Sequence, residues 1–198
     1  MVSPPPGDPE LDPDYLAVRA KVDAFVAAVG ERRAAELACR RGCSGCCQVQ
    51  LSVSTVEAQA LRVALRSLPA DARERLRERA SQDPSPGGPC VMLEEDGACA
   101  VYAARPLVCR TQGLPLRYPA GLVPPAAVLL QVATGAVTCC PLNFTGQLPA
   151  AADILDAERV DQLLALVNRR HAEAHAQDPL ARTPLRALAQ ETLAAAAR

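Results

Sequence analysis

The segment Cys39-Arg40-Arg41-Gly42-Cys43-Ser44-Gly45-Cys46-Cys47 packs four thiols into one short run, and that density restricts what the chain can become. Crowded cysteines pair as disulfides, pack as small apolar groups, or hold a soft metal. The chain has nine cysteines, so a closed set of disulfides leaves one over. Its opening, Met1 to Glu10, carries neither the cationic nor the apolar region of a secretory signal. Together these point to a reducing, cytoplasmic setting in which thiols stay free and bind metals. Cysteines used as core residues would be scattered over helices, yet none falls on the helical stretches 55–80 or 157–198.

Spacing adds detail. In Cys43-x2-Cys46 the small residues Ser44 and Gly45 let the backbone turn tightly, with Gly42 and Gly45 supplying conformational freedom, so that two thiolates can face one ion. Cys39 lies four residues before Cys43, one turn away at the end of an expected helix. Adjacent Cys46 and Cys47 point apart in an extended segment, and they suit two metals, a bridged cluster, or one ligand with a supporting thiol. Cys139-Cys140 repeats the pair. Two four-ligand sites would use eight thiols and leave one.

Four thiolates around a divalent ion retain negative charge, which a buried site tolerates only with hydrogen-bond donors. Arg105 and Arg110 bracket Cys109 and are the expected donors behind the ligands. Arg40 and Arg41 sit between Cys39 and Cys43.

The rest of the chain reads as mainly α: a small helical domain with one short β-hairpin, organised around a cysteine-rich metal site. Residues 1–12 form a Pro-rich, flexible tail, and 13–198 a single domain with a metal-binding core over about 39–144 and a helical part over about 153–198. Apolar periodicity predicts helices over 14–41, 157–176 and from Thr183-Pro184 towards 198, with Asp12 or Asp14 capping the first. Ser54-Thr55-Val56-Glu57 is a capping box that opens a helix to about 67, and a charged helix follows over 71–80. Residues 49–53 alternate as a short extended segment. A loop over 83–89 leads to a hairpin with arms 90–93 and 99–102 around Asp96-Gly97, and Arg105 to Arg110 reads as a single helical turn. Residues 118–152 carry no charge and several prolines, so they read as irregular chain beside the site and not as a membrane span.

Aromatics make up only 3% of the residues, and alanine is abundant, so the core gains from a metal staple. A net charge of −1 indicates neither a nucleic-acid nor a membrane surface.

The blocks Cys39-x3-Cys43-x2-Cys46-Cys47, Cys90 and Gly97-x-Cys99-x2-Tyr102-x2-Arg105-Pro106-x2-Cys109-Arg110 resemble the YkgJ-like cysteine-cluster family, with Cys140-Pro141-Leu142-Asn143-Phe144 as a continuation. The first spacing here is C-x3-C where the family commonly has C-x2-C. The resemblance implies a domain chelating zinc or iron, including iron as an iron–sulfur cluster. The expected ligands are Cys39, Cys43, Cys46, Cys47, Cys90, Cys99, Cys109 and Cys140, with Cys139 unassigned. A flagellin lysine methylase shares this type of cluster, so a cluster-dependent methylase or oxidoreductase is the alternative. A zinc-folded module that binds a protein partner is the third reading.

Cys39-x3-Cys43-x2-Cys46 also matches the radical S-adenosylmethionine signature, but that motif follows a strand of a large α/β barrel, and here it follows a helix. His171 and His175 stand one turn apart in a polar stretch and read as an exposed helix face. Tyr102 reads as a packing residue.

Overall fold

The computed structural model describes residues 11–83, 88–119, 121–123, 128–132 and 135–195, so most of the expected tail, part of the 83–89 loop and the last three residues lie outside the described residues. Helix α1, Pro13–Arg32, begins where the Asp12 side chain accepts from the Tyr15 N–H at 2.9 Å, with Pro13 in the first turn. It buries Tyr15, Val22 and Val29, seven residues apart and hence on one stripe.

The helix stops short of the expected 41. Arg32 Nε and Arg33 Nε both donate to the buried Asp153 carboxylate, at 3.2 and 2.7 Å. Consecutive residues of a continuing helix diverge by about 100°, and the chain leaves α-geometry at Arg33 and enters a 3₁₀ turn, Ala34–Glu36. Cys39 therefore sits in irregular chain beyond the helix.

Strand β1, Ser52–Val53, leads into α2, Thr55–Arg66, whose capping box uses Ser54 and Glu57. The buried Glu57 carboxyl also accepts from the Leu107 N–H at 3.0 Å, which ties α2 to α4, Leu107–Thr111. Helix α3, Ala70–Ser81, follows α2 closely. After α4 come β2, Leu116–Arg117; β3, Val128–Val132; β4, Gly135–Cys139; and β5, Leu155–Asp156. Helix α5 is Ala157–Ala174, β6 is Thr183–Pro184, and α6 is Leu185–Ala195.

The fold is mainly α with small sheets, as expected; the expected hairpin is present only at its inner pair, and a longer one lies elsewhere. The 90–102 segment makes a single bridge, Leu93↔Cys99. The ladder lies in the stretch expected to be irregular: β3 and β4 pair antiparallel from Val128↔Cys139 to Val132↔Gly135. Its β-branched and aliphatic residues favour pairing once a partner is available, and Gly135 takes φ 109° at the turn end. The sheet order is β3-β4-β2-β5, with β2 parallel to β5, and β1 pairs antiparallel with β6. Thr183 and Pro184 therefore belong to a strand that precedes the last helix.

Three apolar clusters make the core. The first joins α2, α3 and α6 through Leu61, Leu65, Leu76 and Leu188, with Val91, Met92 and Val101 from the cysteine-bearing loops. Against it pack Cys90 and Cys99. The second holds Tyr15, Val22, Val56, Leu107 and Val167 between α1, α2, α4 and α5. The third gathers Val29, Leu114, Leu116, Cys139 and Phe144 under the four-stranded sheet. Among the described residues no helix is long and apolar enough to cross a membrane.

Candidate metal centre

The thiols come from five pieces of chain that the backbone stitches together. The Arg40 carbonyl accepts from Cys43 N–H at 3.0 Å, in a turn that needs Gly42 at φ 86°. The Ser44 carbonyl accepts from Cys47 N–H at 2.9 Å and closes the 3₁₀ turn Gly45–Cys47. Cys46 and Cys47 are thus in a tight turn, not an extended segment. Gly45 has no positive φ and nothing within 4 Å of a Cβ position, so this glycine is not demanded by the turn.

Two junctions bring the second block to the first. Cys90 N–H donates to the Cys47 carbonyl at 2.7 Å. At Gly97, φ 77°, a Cβ would stand 2.8 Å from the Gly42 carbonyl oxygen, so the 94–98 turn lies directly on the first cysteine loop. Arg41 and Asp96 pair across this junction at 3.0 Å, but both are exposed, and water screens such pairs.

The third junction turns on Gly113 and on Asn143, which the sequence reading places only within the Cys140–Phe144 continuation and gives no role. The buried Asn143 side chain accepts from Ala38 N–H at 2.8 Å and donates through Nδ2 to the Gly113 carbonyl at 2.7 Å. Nδ2 also stands 3.3 Å from Cys39 Sγ. Gly113, at φ 94°, has Cys39 Sγ 2.9 Å and Cys140 Cβ 3.7 Å from the position of a Cβ. Cys39 and Cys140 therefore both border a glycine whose replacement would crowd Cys39 Sγ and leave Cys140 at ordinary contact distance.

Burial is the principal cause that raises the thiols of Cys39, Cys46, Cys47, Cys90, Cys99, Cys109 and Cys139. Cys46 rises to about 11, and Cys109 and Cys139 rise to about 12. Neighbouring thiols add to it. Cys109 feels Cys90, Cys99 and Cys47, and Cys47 feels Cys90 and Cys99. Cys39 feels Cys140, Cys43 and Cys46, while the Asn143 N–H works in the opposite direction. Cys139 is buried at the end of β4 and donates to the Gly113 carbonyl at 3.2 Å.

A pH dependence follows for the metal-free protein. The folded state holds the Cys109 and Cys139 protons up to about pH 12, while the unfolded chain releases them near the ordinary value of 9.0. Their contribution is complete below pH 9.0 and is lost as the pH rises towards about 12. Thermal melts of reduced, metal-free protein should show the melting temperature falling across that window, and a flat profile would contradict the burial of these thiols.

The two arginines part company. Arg105 lies over the Tyr102 ring at 3.7 Å, and its buried Nε has no hydrogen-bond partner. Its charge lowers the pKa of Cys47, Cys99 and Cys109 against their burial. Arg110 is buried and committed elsewhere: to Asp23 and the Arg105 carbonyl, each at 2.6 Å, and to the Ala103 carbonyl. It holds the 103–110 turn together. Arg40 donates to the Ala38 carbonyl at 3.3 Å.

Two minor expectations are corrected. Tyr102 is 58% exposed and covers no core, because its ring is turned out under Arg105. His171 is buried, not on an exposed face: its Nδ1 is 3.1 Å from Asp12 Oδ2 and links α5 to the start of α1. His175 stays exposed and bonds through Nδ1 to the His171 carbonyl at 2.8 Å.

Among the described residues no three Cys, His, Asp or Glu side chains are placed to hold an ion at once. The donor chemistry nevertheless suits zinc or iron, since soft thiolates bind both and Asn143 Nδ2 stands 3.3 Å from Cys39 Sγ as an N–H donor. Residues 38–120 match the CxxCxxCC family. That family is described as a "Putative zinc- or iron-chelating domain", and the matched segment contains Cys39 through Cys109 but not Cys139, Cys140 or Asn143. No curated protein and no solved structure matches the chain.

Proposed function

We propose that the protein chelates zinc or iron through the thiolates of Cys39, Cys43, Cys46, Cys47, Cys90, Cys99, Cys109 and Cys140. The observation that carries the reading is the convergence of sequence-distant thiols: Cys90 N–H on the Cys47 carbonyl, and Cys39 beside Cys140 over Gly113. A chain that used cysteine only as a small apolar residue has no reason to gather so many in loops. Metal binding requires the thiolates and so releases the thiol protons.

An all-thiolate donor set serves equally for four-coordinate zinc and for an iron–sulfur cluster. Elemental analysis and a visible spectrum of anaerobically purified protein separate them. Zinc gives a colourless protein with stoichiometric metal. Iron–sulfur protein is brown, with absorption over roughly 300–450 nm, where thiolate-to-iron charge transfer falls. Metal-free protein with reactive thiols and intact helices would overturn the proposal.

A further inference from the structure

We propose that the thiols form two neighbouring centres divided between Cys46 and Cys47, the first from Cys39, Cys43, Cys46 and Cys140, the second from Cys47, Cys90, Cys99 and Cys109. The inference rests on the metal-chelating reading above and adds the number of centres and the owner of each ligand.

The geometry that separates them is the packing on either side of the adjacent pair. Cys90 and Cys99 rest against the cluster of α2, α3 and α6, beside Val91, Met92 and Val101. Cys90 is bonded through its N–H to the Cys47 carbonyl. Cys39 and Cys140 instead meet at Gly113, on the cluster under the four-stranded sheet that holds Phe144, Leu114 and Cys139. Cys109 and Cys47 feel the same neighbours, Cys90 and Cys99, whereas Cys39 is influenced by Cys140, Cys43 and Cys46, and the excluded Cys139 by Cys140 and Cys39. Each set also has its own polar neighbour: Asn143 Nδ2 lies 3.3 Å from Cys39 Sγ, and the Arg105 charge acts on Cys47, Cys99 and Cys109.

The division explains the adjacent pair chemically. Residues i and i+1 cannot both present thiolates comfortably to one tetrahedral ion, but in a 3₁₀ turn they can serve two ions side by side. It also extends the metal-binding unit past the matched segment, because the first centre takes its fourth ligand from Cys140. Cys139 is left as a thiol, occupied by the Gly113 carbonyl. Asn143 acts as a positioning residue that aims the Cys39 thiolate through its N–H.

Cadmium NMR on the reduced 198-residue chain tests this, with cadmium as the probe for either native metal. The wild type should bind about two equivalents and give two tetrathiolate resonances, as four-coordinate sites require. Cys140→Ser should lose one resonance and Cys109→Ser the other, each dropping about one equivalent. Cys139→Ser should keep both. Asn143→Ala should shift only the resonance that Cys140→Ser removes, which loosened folding alone would not do. Loss of both signals in either single variant, with helices intact by circular dichroism, would overturn the division. So would cadmium–cadmium coupling in the wild type, which requires bridging thiolates in one cluster. Wild-type protein that binds no cadmium would instead remove the chelation reading itself.

Discussion

Chelating the metal from loaded protein at neutral pH should lower its melting temperature by about 8–16 °C, from about 4 kcal/mol at a thousandfold excess of metal over Kd and about 2–4 °C per kcal/mol for a chain of this length. The physical reason is the way the core is divided. Three apolar clusters carry the helices and the sheet, and the cysteine-bearing chain over 37–51, 88–106 and 139–144 runs between the first and the third. Val91, Met92 and Val101 anchor these loops in the first cluster and Phe144 in the third, but no residue of the 39–47 stretch is buried. Ligand bonds supply its anchor. Differential scanning of holo and chelated protein under reducing conditions reads the effect directly. An unchanged melting temperature after complete metal removal would mean that the loops are held by hydrogen bonds and apolar contacts alone.

The second large effect is expected at Gly97. Substituting alanine places a Cβ 2.8 Å from the Gly42 carbonyl oxygen, in a residue at φ 77°. A non-glycine residue in the left-handed region costs about 1–3 kcal/mol. Overpacking against a backbone atom adds a cost of about 1–3 kcal/mol. Gly97→Ala should therefore destabilise the protein by about 2–6 kcal/mol and weaken metal binding, because the 94–98 turn holds Cys99 against the first cysteine loop. Gly45→Ala is the control. Its Cβ meets nothing within 4 Å and its φ is ordinary, so denaturant midpoints should hardly move. Equal effects at the two glycines would show that the loop-on-loop contact is unimportant.

Much of the fold was legible because its signals are local. The Ser54–Glu57 capping box opens α2 where the sequence placed it, and Asp12 caps α1. The 71–80 and 157–176 predictions differ from α3 and α5 by one or two residues at their ends. Where the reading failed, a distant partner decided the outcome. Helix α1 ends at Arg32 because Arg32 and Arg33 turn towards Asp153, about 120 residues on. The β3–β4 hairpin hid in an uncharged, proline-punctuated stretch whose pairing depends on β2 and β5 for a sheet. His171 is buried because Asp12 reaches it from the opposite end of the chain, 159 residues away in sequence.

The same boundary runs through the candidate site. The sequence alone determined its chemistry: thiol donors, their concentration in loops, and the adjacent pairs that suggest more than one metal. It could not assign the donors to their neighbours. That Cys39 meets Cys140 rather than Cys90, and that Asn143, 104 residues from Cys39, supplies the N–H donor, emerged only when the α1 exit and the sheet packed together. It could not separate Arg105 from Arg110 either, since both flank Cys109 and only packing commits Arg110 to Asp23. Donor type is a property of single residues, whereas ligand grouping is set by long-range packing.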